Sequence, residues 1–279
     1  MKRVFILALA VMMLSLVFAG CGPSSSAESP SADASAAASD ETSAPSEEAS
    51  TPAEGTAASS APAQGAGTPA ASYLAFTEAK TAVVTKLADG LSKNESTMYA
   101  SMTLLGVTMA DLIMLPVSFF GAGEEAATMG LAMLSASNVK YSENGNSYSI
   151  SYTDEQGASY VFNGTYDAAA DAIVCTAQKN SKDYFYSEYR KTSYGYASQY
   201  FFLNDDNTTT MYQISISGQD GVLGISTTQT TQPAALTGSE PADFPTTQPE
   251  WYSITGSTIK GKTSDGTDVN FEYVPSATE

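Results

Sequence analysis

Ser147-Tyr148-Ser149-Ile150-Ser151-Tyr152 alternates a small polar residue with a large apolar one. Side chains on a strand point to opposite faces with period two. Tyr148, Ile150 and Tyr152 therefore share one face and the serines share the other. One face buried and one wet is the pattern of an antiparallel sheet. The rhythm recurs downstream. Tyr184 and Tyr186 alternate with Phe185, and Tyr196, Tyr200 and Phe202 line one side of the next run. Tyr212, Ile214 and Ile216 oppose Met211, Gln213 and Ser215. Turn-forming clusters separate the runs: Glu143-Asn144-Gly145-Asn146, Glu155-Gln156-Gly157, Asn204-Asp205-Asp206-Asn207 and Gln219-Asp220-Gly221. The pattern predicts about eight strands between 139 and 228. Two more are expected at 251–261 and 267–274, joined through Ser264-Asp265-Gly266.

The connection 229–250 breaks the rhythm. It holds Pro233, Pro241, Pro245 and Pro249 among Thr, Gln and Ala. A structureless connection of this length is usually functional or mobile. A mobile surface loop is expected, with Trp251, the only tryptophan, anchoring the strand that follows.

Upstream of the strands the period is helical. Ser72 is placed to cap a helix over 73–89. Tyr73, Phe76, Val83 and Leu87 recur on one face, and Gly90 is a stop signal. A second helix is expected from Asn94 to Leu115, with Met98, Met102, Leu105, Met109 and Leu112 as its main stripe. Leu104, Val107 and Met114 lie on its other faces, and a helix apolar all round is either deeply buried or in a membrane. A third helix, Glu124 to Ser135, follows a Gly-rich break.

The membrane option for 102–120 is weighed on charge. The stretch holds one charge, Asp111, and one proline, Pro116. A central Asp costs about 2.5–3.5 kcal/mol on insertion scales. Spanning from outside would leave Lys80, Lys86 and Lys93 outside and carry Glu124 and Glu125 inside, against the positive-inside preference. A core helix is the expectation, and Asp111 then needs a polar partner or an exposed turn. The fold class read from these patterns is α+β: helices in 72–136 packed on a long curved antiparallel meander, a half-barrel or open barrel, in 139–274. Residues 72–279 are enough for one well-filled core and one domain.

The start of the chain reads differently. Lys2 and Arg3 precede a nearly unbroken apolar run, Val4 to Phe18, followed by the small residues Ala19 and Gly20. That is the order of a secretory signal over residues 1–20, and the run is too short for a lasting transmembrane helix. Val17-Phe18-Ala19-Gly20-Cys21 resembles the lipobox of bacterial lipoproteins, although the usual residue at the position of Phe18 is Leu. The resemblance covers residues 1–21. It implies cleavage before Cys21, diacylation of its thiol with fatty acids such as palmitate, and an extracytoplasmic protein partnered by the membrane through that lipid. Residues 22–71 are Ser, Ala, Pro, Thr, Gly and Glu with a few other polar residues, and contain no aromatic and no Leu, Ile, Val or Met. Such a segment cannot bury enough apolar surface to order itself, so 21–71 reads as the lipidated cysteine and a disordered tether. As a flexible coil it spans roughly 35–42 Å.

Composition excludes several functions. The chain carries a net charge of −18, and residues 72–279 alone hold 23 acidic against 10 basic side chains. That opposes nucleic-acid phosphates and anionic headgroups alike. There is no histidine, which removes the usual Ser-His-Asp and Cys-His sites and histidine zinc sites. Cys175 has no partner once Cys21 is acylated, and reads as a buried structural thiol. Gly121-Ala122-Gly123-Glu124-Glu125-Ala126 imitates a dinucleotide turn, but its two glutamates would repel a pyrophosphate. Ser137 to Lys140 and Ser257 to Lys260 match S-x-x-K without the helical context that chemistry needs. Turn chemistry accounts for the Asn204–Asn207 and Asp265–Asp268 clusters without calcium. No enzyme, metal or cofactor is expected.

Across 73–274 the element order is similar to that of the LolA/LolB group of envelope lipoprotein carriers. The resemblance rests on element order and on no motif. It implies a non-catalytic protein holding a hydrophobic or lipid-like ligand between sheet and helices. Met102 and Met109, on the Met-rich helix set against the concave face, and Trp251 are the candidate ligand-binding residues. The alternative is a surface interaction or structural module whose outward strand face and 229–250 loop contact another envelope protein or a glycan.

Overall fold

In a computed structural model, residues 67–275 are described. The signal-like start, Cys21 and the tether as far as residue 66 lie outside them. The described elements belong to one compact unit, Ser59–Glu279. Eleven strands follow a helical region: β1 (Ser137–Asn144), β2 (Ser147–Thr153), β3 (Ser159–Asp167), β4 (Ala172–Lys179), β5 (Lys182–Lys191), β6 (Tyr196–Leu203), β7 (Thr209–Ser217), β8 (Asp220–Ser226), β9 (Glu250–Thr255), β10 (Thr258–Lys262) and β11 (Asp268–Glu272). Each pairs antiparallel with its neighbour in sequence, and the sheet is open, ending at β1 and β11. The α+β meander expected from the alternation is the observed fold. The expected strand at 251–261 is instead a hairpin, β9 and β10. The two-residue turn Gly256-Ser257 joins them, with Gly256 at φ 59°.

Register builds the buried face row by row. Ile150 opposes Phe162, which opposes Ala177, then Phe185, then Phe202. A second row runs Ile173, Tyr189, Ser198, Ile214, Leu223, Tyr252. These rows meet the helices α1 (Pro69–Ser92), α2 (Met98–Thr103), α3 (Leu105–Ile113), a 3-10 turn (Leu115–Phe119) and α4 (Glu124–Ala132).

The start of α1 differs from expectation. Thr68 is the cap, its Oγ1 accepting from Ala71 N at 3.2 Å, and Pro69 fills the first turn, where no N–H is needed. Ser72 is inside the helix and buried. Gly90 does not stop α1. A Cβ there would lie 2.3 Å from Ile259 Cδ1, so the glycine lets the helix approach β10. The helix crosses the sheet from β5, where Phe76 stacks on Tyr189 at 4.3 Å, to β10.

Residues 98–120 cross back. Tyr212 Oη of β7 donates to Thr103 O at 3.2 Å, Ser187 Oγ of β5 donates to Met114 Sδ at 2.9 Å, and Phe120 stacks on Tyr148 of β2 at 5.2 Å. The single helix expected over 94–115 is broken at Leu104 and ends in the 3-10 turn, where Pro116 cannot extend it. Its orientation is also the reverse of the expected one. Leu104, Val107, Ala110 and Met114 are buried, while Met98, Met102, Leu105 and Met109 face outward.

The segment after β8 is a packed strap rather than a mobile loop. It crosses the other face of the sheet over β5 to β8. Glu188, Gln199 and Gln213 stand opposite one another there in a polar row. Gln199 Nε2 donates to Ala234 O at 2.8 Å, Leu236 N donates to Glu188 Oε2 at 2.9 Å, Gln248 Nε2 donates to Gln213 Oε1 at 2.6 Å, and Ser215 Oγ donates to Ala242 O. Side chains of the sheet thus satisfy a proline-rich backbone that cannot form a strand.

The buried tyrosines set an alkaline limit. Burial pushes Tyr152 and Tyr212 up to about 12 from the ordinary 10, and raises Tyr189, Tyr200 and Tyr252 as well. Raised phenols stabilise the fold fully below about pH 10; that contribution is lost as pH rises toward and past 12, because the unfolded chain ionises first. Phenolate absorbance is expected to rise together with loss of the near-UV circular dichroism. Complete titration near pH 10 with the spectrum intact would contradict this burial.

Candidate functional site

Large apolar side chains pack between helices and sheet. Phe76, Leu87, Leu91, Leu104, Met114, Phe120 and Leu131 from the helical side meet Phe162, Tyr189, Tyr200 and Tyr252 from the sheet, all fully buried. Two open surface grooves lie beside α1. One of about 370 Å³ lies between α1 and α2–α3, walled by Val84, Ala88, Leu104 and Leu105 with Thr85, Ser101 and Thr108. Another of about 480 Å³ lies between the end of α1 and β11, beside Lys93 and Tyr273.

Two polar clusters reach into this packing from its edge, where the side chains of Asp111 and Lys191 are 25% and 32% exposed. Lys80, 1% exposed, comes from α1 and pairs with Asp111 of α3. Its ammonium also donates to Tyr200 Oη at 3.0 Å and lies 5.2 Å from the ring centres of Phe76 and Tyr200. Burial, and then the Asp111 carboxylate, hold the phenols of Tyr73 and Tyr200 well above their ordinary value. Asp111 thus finds the polar partner its place in an apolar helix requires. The signal for Lys80 was present: it occupies the gap in the stripe Tyr73, Phe76, Val83, Leu87, where a core residue belongs.

The second cluster centres on Ser72. Its Oγ donates to Asp171 Oδ1 at 2.5 Å, and Tyr189 Oη donates to it from 2.8 Å. Lys191 Nζ lies 3.6 Å from Asp171 Oδ2. The hydroxyl is fully buried and its proton is engaged, so this arrangement ties the start of α1 to the sheet and offers no free nucleophile. Cys175 is likewise buried, which pushes its thiol up to about 12. Among the described residues no three His, Cys, Asp or Glu side chains gather as a metal site. Asp206 accepts from Thr208 N at 3.0 Å, and Asp265 from Thr267 N at 3.1 Å, so both serve their own turns. Gly121 and Gly123 take φ values of 77° and 87° in the break before α4.

The candidate ligand residues are not brought together between the layers. Met102 is 60% exposed and Met109 52% exposed, both on the outer side of α2–α3. Trp251 stands half-buried on the opposite face of the sheet, across from Gly224 and Lys262. The structure instead exposes a continuous helical series, Met98, Tyr99, Met102, Leu105 and Met109, with Leu105 also forming part of the groove against α1. Met98–Phe119 is long and apolar enough to cross a membrane by length and composition, yet one side of it is built into the core. No protein-family model, no curated protein and no solved structure matches this chain.

Proposed function

We propose that the chain is an extracytoplasmic lipoprotein, anchored through lipid on Cys21, whose folded domain is a non-catalytic binding module acting through an apolar outer surface. One observation carries the reading: the helical layer closes the inner face of the sheet while turning Met98, Met102, Leu105 and Met109 outward. An apolar or lipid-like ligand is met on that surface rather than between the layers, because the side chains of α1 and residues 98–120 occupy the interior. The outward strand face at β5 to β8 is less suited to a partner, since the strap covers it.

The absence of histidine and the engagement of Ser72 and Cys175 in the core support a non-catalytic role. Two acyl chains on Cys21 give stable attachment where one gives only marginal binding. Cys21→Ala is expected to move the protein from the membrane fraction into the medium, measured by fractionation of producing cells. Retention of the variant in membranes at the parent level would refute the anchor.

A further inference from the structure

We propose that the outer face of α2–α3 lies directly on the bilayer, so that the domain rests against the membrane instead of floating at the end of its tether. This rests on the anchored-lipoprotein reading, and the partner it names is a neutral lipid surface. Exposed apolar side chains scattered singly are ordinary, but a contiguous series marks an interaction site. Met98, Met102, Leu105 and Met109 repeat at intervals of four, three and four, one side of a helical path. Tyr99 beside them is 78% exposed, and an amphipathic ring suits the headgroup level.

Charge selects the kind of surface. Residues 96–123 contain one charged side chain, Asp111, and that carboxylate is bound to Lys80. No Lys or Arg occurs from 94 to 139, so nothing in the segment attracts anionic headgroups. The domain around it is acidic. What remains is insertion of apolar side chains about 5–10 Å into the headgroup and acyl boundary, favoured by neutral lipid and opposed by anionic lipid. Full insertion is prevented because Leu104, Val107, Ala110 and Met114 are committed to the core.

The described chain begins at the same layer. α1 begins at Pro69, whose ring lies about 3 Å from where a Cβ on Gly121 would stand. The start of α1 therefore lies beside the end of the 98–120 crossing, on the face of the sheet that carries the stripe. Once Cys21 is anchored, a tether of this length holds the surface at millimolar effective concentration, which strengthens a contact that excess vesicles also detect from solution.

The test uses residues 21–279 carrying Cys21→Ala, so the outcome does not depend on acylation. Met102→Cys supplies the single accessible thiol, since Cys175 is fully buried, and it is labelled with an environment-sensitive fluorophore. Phosphatidylcholine vesicles are expected to shift the emission to the blue, and phosphatidylglycerol vesicles to do so more weakly. Adding Met109→Glu is expected to weaken vesicle binding by about tenfold, with an unchanged circular dichroism spectrum because the site is exposed. An emission unmoved by either lipid overturns the proposal. So does emission that is blue-shifted without lipid and rises with protein concentration, which would mean that a second copy covers the stripe. A stronger response to phosphatidylglycerol overturns the neutral surface. Failure of the anchor reading is recorded separately, as an unacylated Cys21 in the mass of the cellular protein.

Discussion

Asp111→Ala is expected to destabilise the domain by about 3–5 kcal/mol, because it strands a buried cation. Lys80 is essentially inaccessible to water, so its charge depends on what the interior provides. Tyr200 gives one hydrogen bond acceptor and the rings of Phe76 and Tyr200 give their faces, and among the described residues Asp111 is the one anion paired with it. Without the carboxylate the remaining contacts do not replace lost hydration. The pair as a whole is a different matter. Replacing a buried pair by apolar residues of similar volume is often neutral or stabilising. Lys80→Met with Asp111→Leu is therefore expected to unfold within about 1 kcal/mol of the parent or above it. Urea titration reads both variants. Equal loss in the single and double variants would show that the pair contributes packing rather than charge compensation. Because Lys80 belongs to α1 and Asp111 to α3, the pair also sets the rotation of α3, and so which of its faces points outward.

Phe120→Ala is expected to cost about 3–5 kcal/mol. The ring is fully buried, stacks on Tyr148, and fills a seat left open by Gly164 of β3. A Cβ on Gly164 would lie 2.3 Å from Phe120 Cε2, so Gly164→Ala should itself cost about 1–3 kcal/mol by overpacking. The two sites touch, so their effects should not add. Phe120→Leu combined with Gly164→Ala is expected to be more stable than the sum of the single variants predicts. Strict additivity in denaturant unfolding would contradict the contact. This seat ends the return crossing at β2 and β3, just as Tyr212 begins it at β7.

The strands were legible because large core-facing residues recur with period two in the runs from Tyr148 to Ile216, even where the strap buries the other face as well. The β9–β10 hairpin was not, since a single glycine in Gly256-Ser257 leaves little mark within an otherwise strand-like stretch. The strap was hidden for a chemical reason. Glu188, Gln199, Gln213 and Ser215 look like ordinary solvent-facing residues, yet beneath the strap Glu188, Gln199 and Ser215 bind its backbone and Gln213 binds the Gln248 side chain. The face of residues 98–115 was illegible for another. A helix apolar all round offers no contrast, so periodicity picks a stripe without saying which side is inside. The methionines formed the more regular series, yet the sheet takes Leu104, Val107, Ala110 and Met114. The lysine at 80 held the missing information, as a charge in a core position that calls for an anion such as Asp111.

Methionine oxidation tests most directly whether the outer helical face is the working surface. Met102 and Met109 are exposed, whereas Met114 and Met211 are buried and serve as references within the same chain. Membranes carrying the parent protein and the Cys21→Ala chain free in buffer are treated with dilute peroxide, and sulfoxide is quantified by peptide mass. Slow oxidation of Met102 and Met109 on membranes and fast oxidation in buffer, with Met114 and Met211 slow in both, is the predicted result. Equal rates for Met102 and Met109 in the two samples would contradict a covered face.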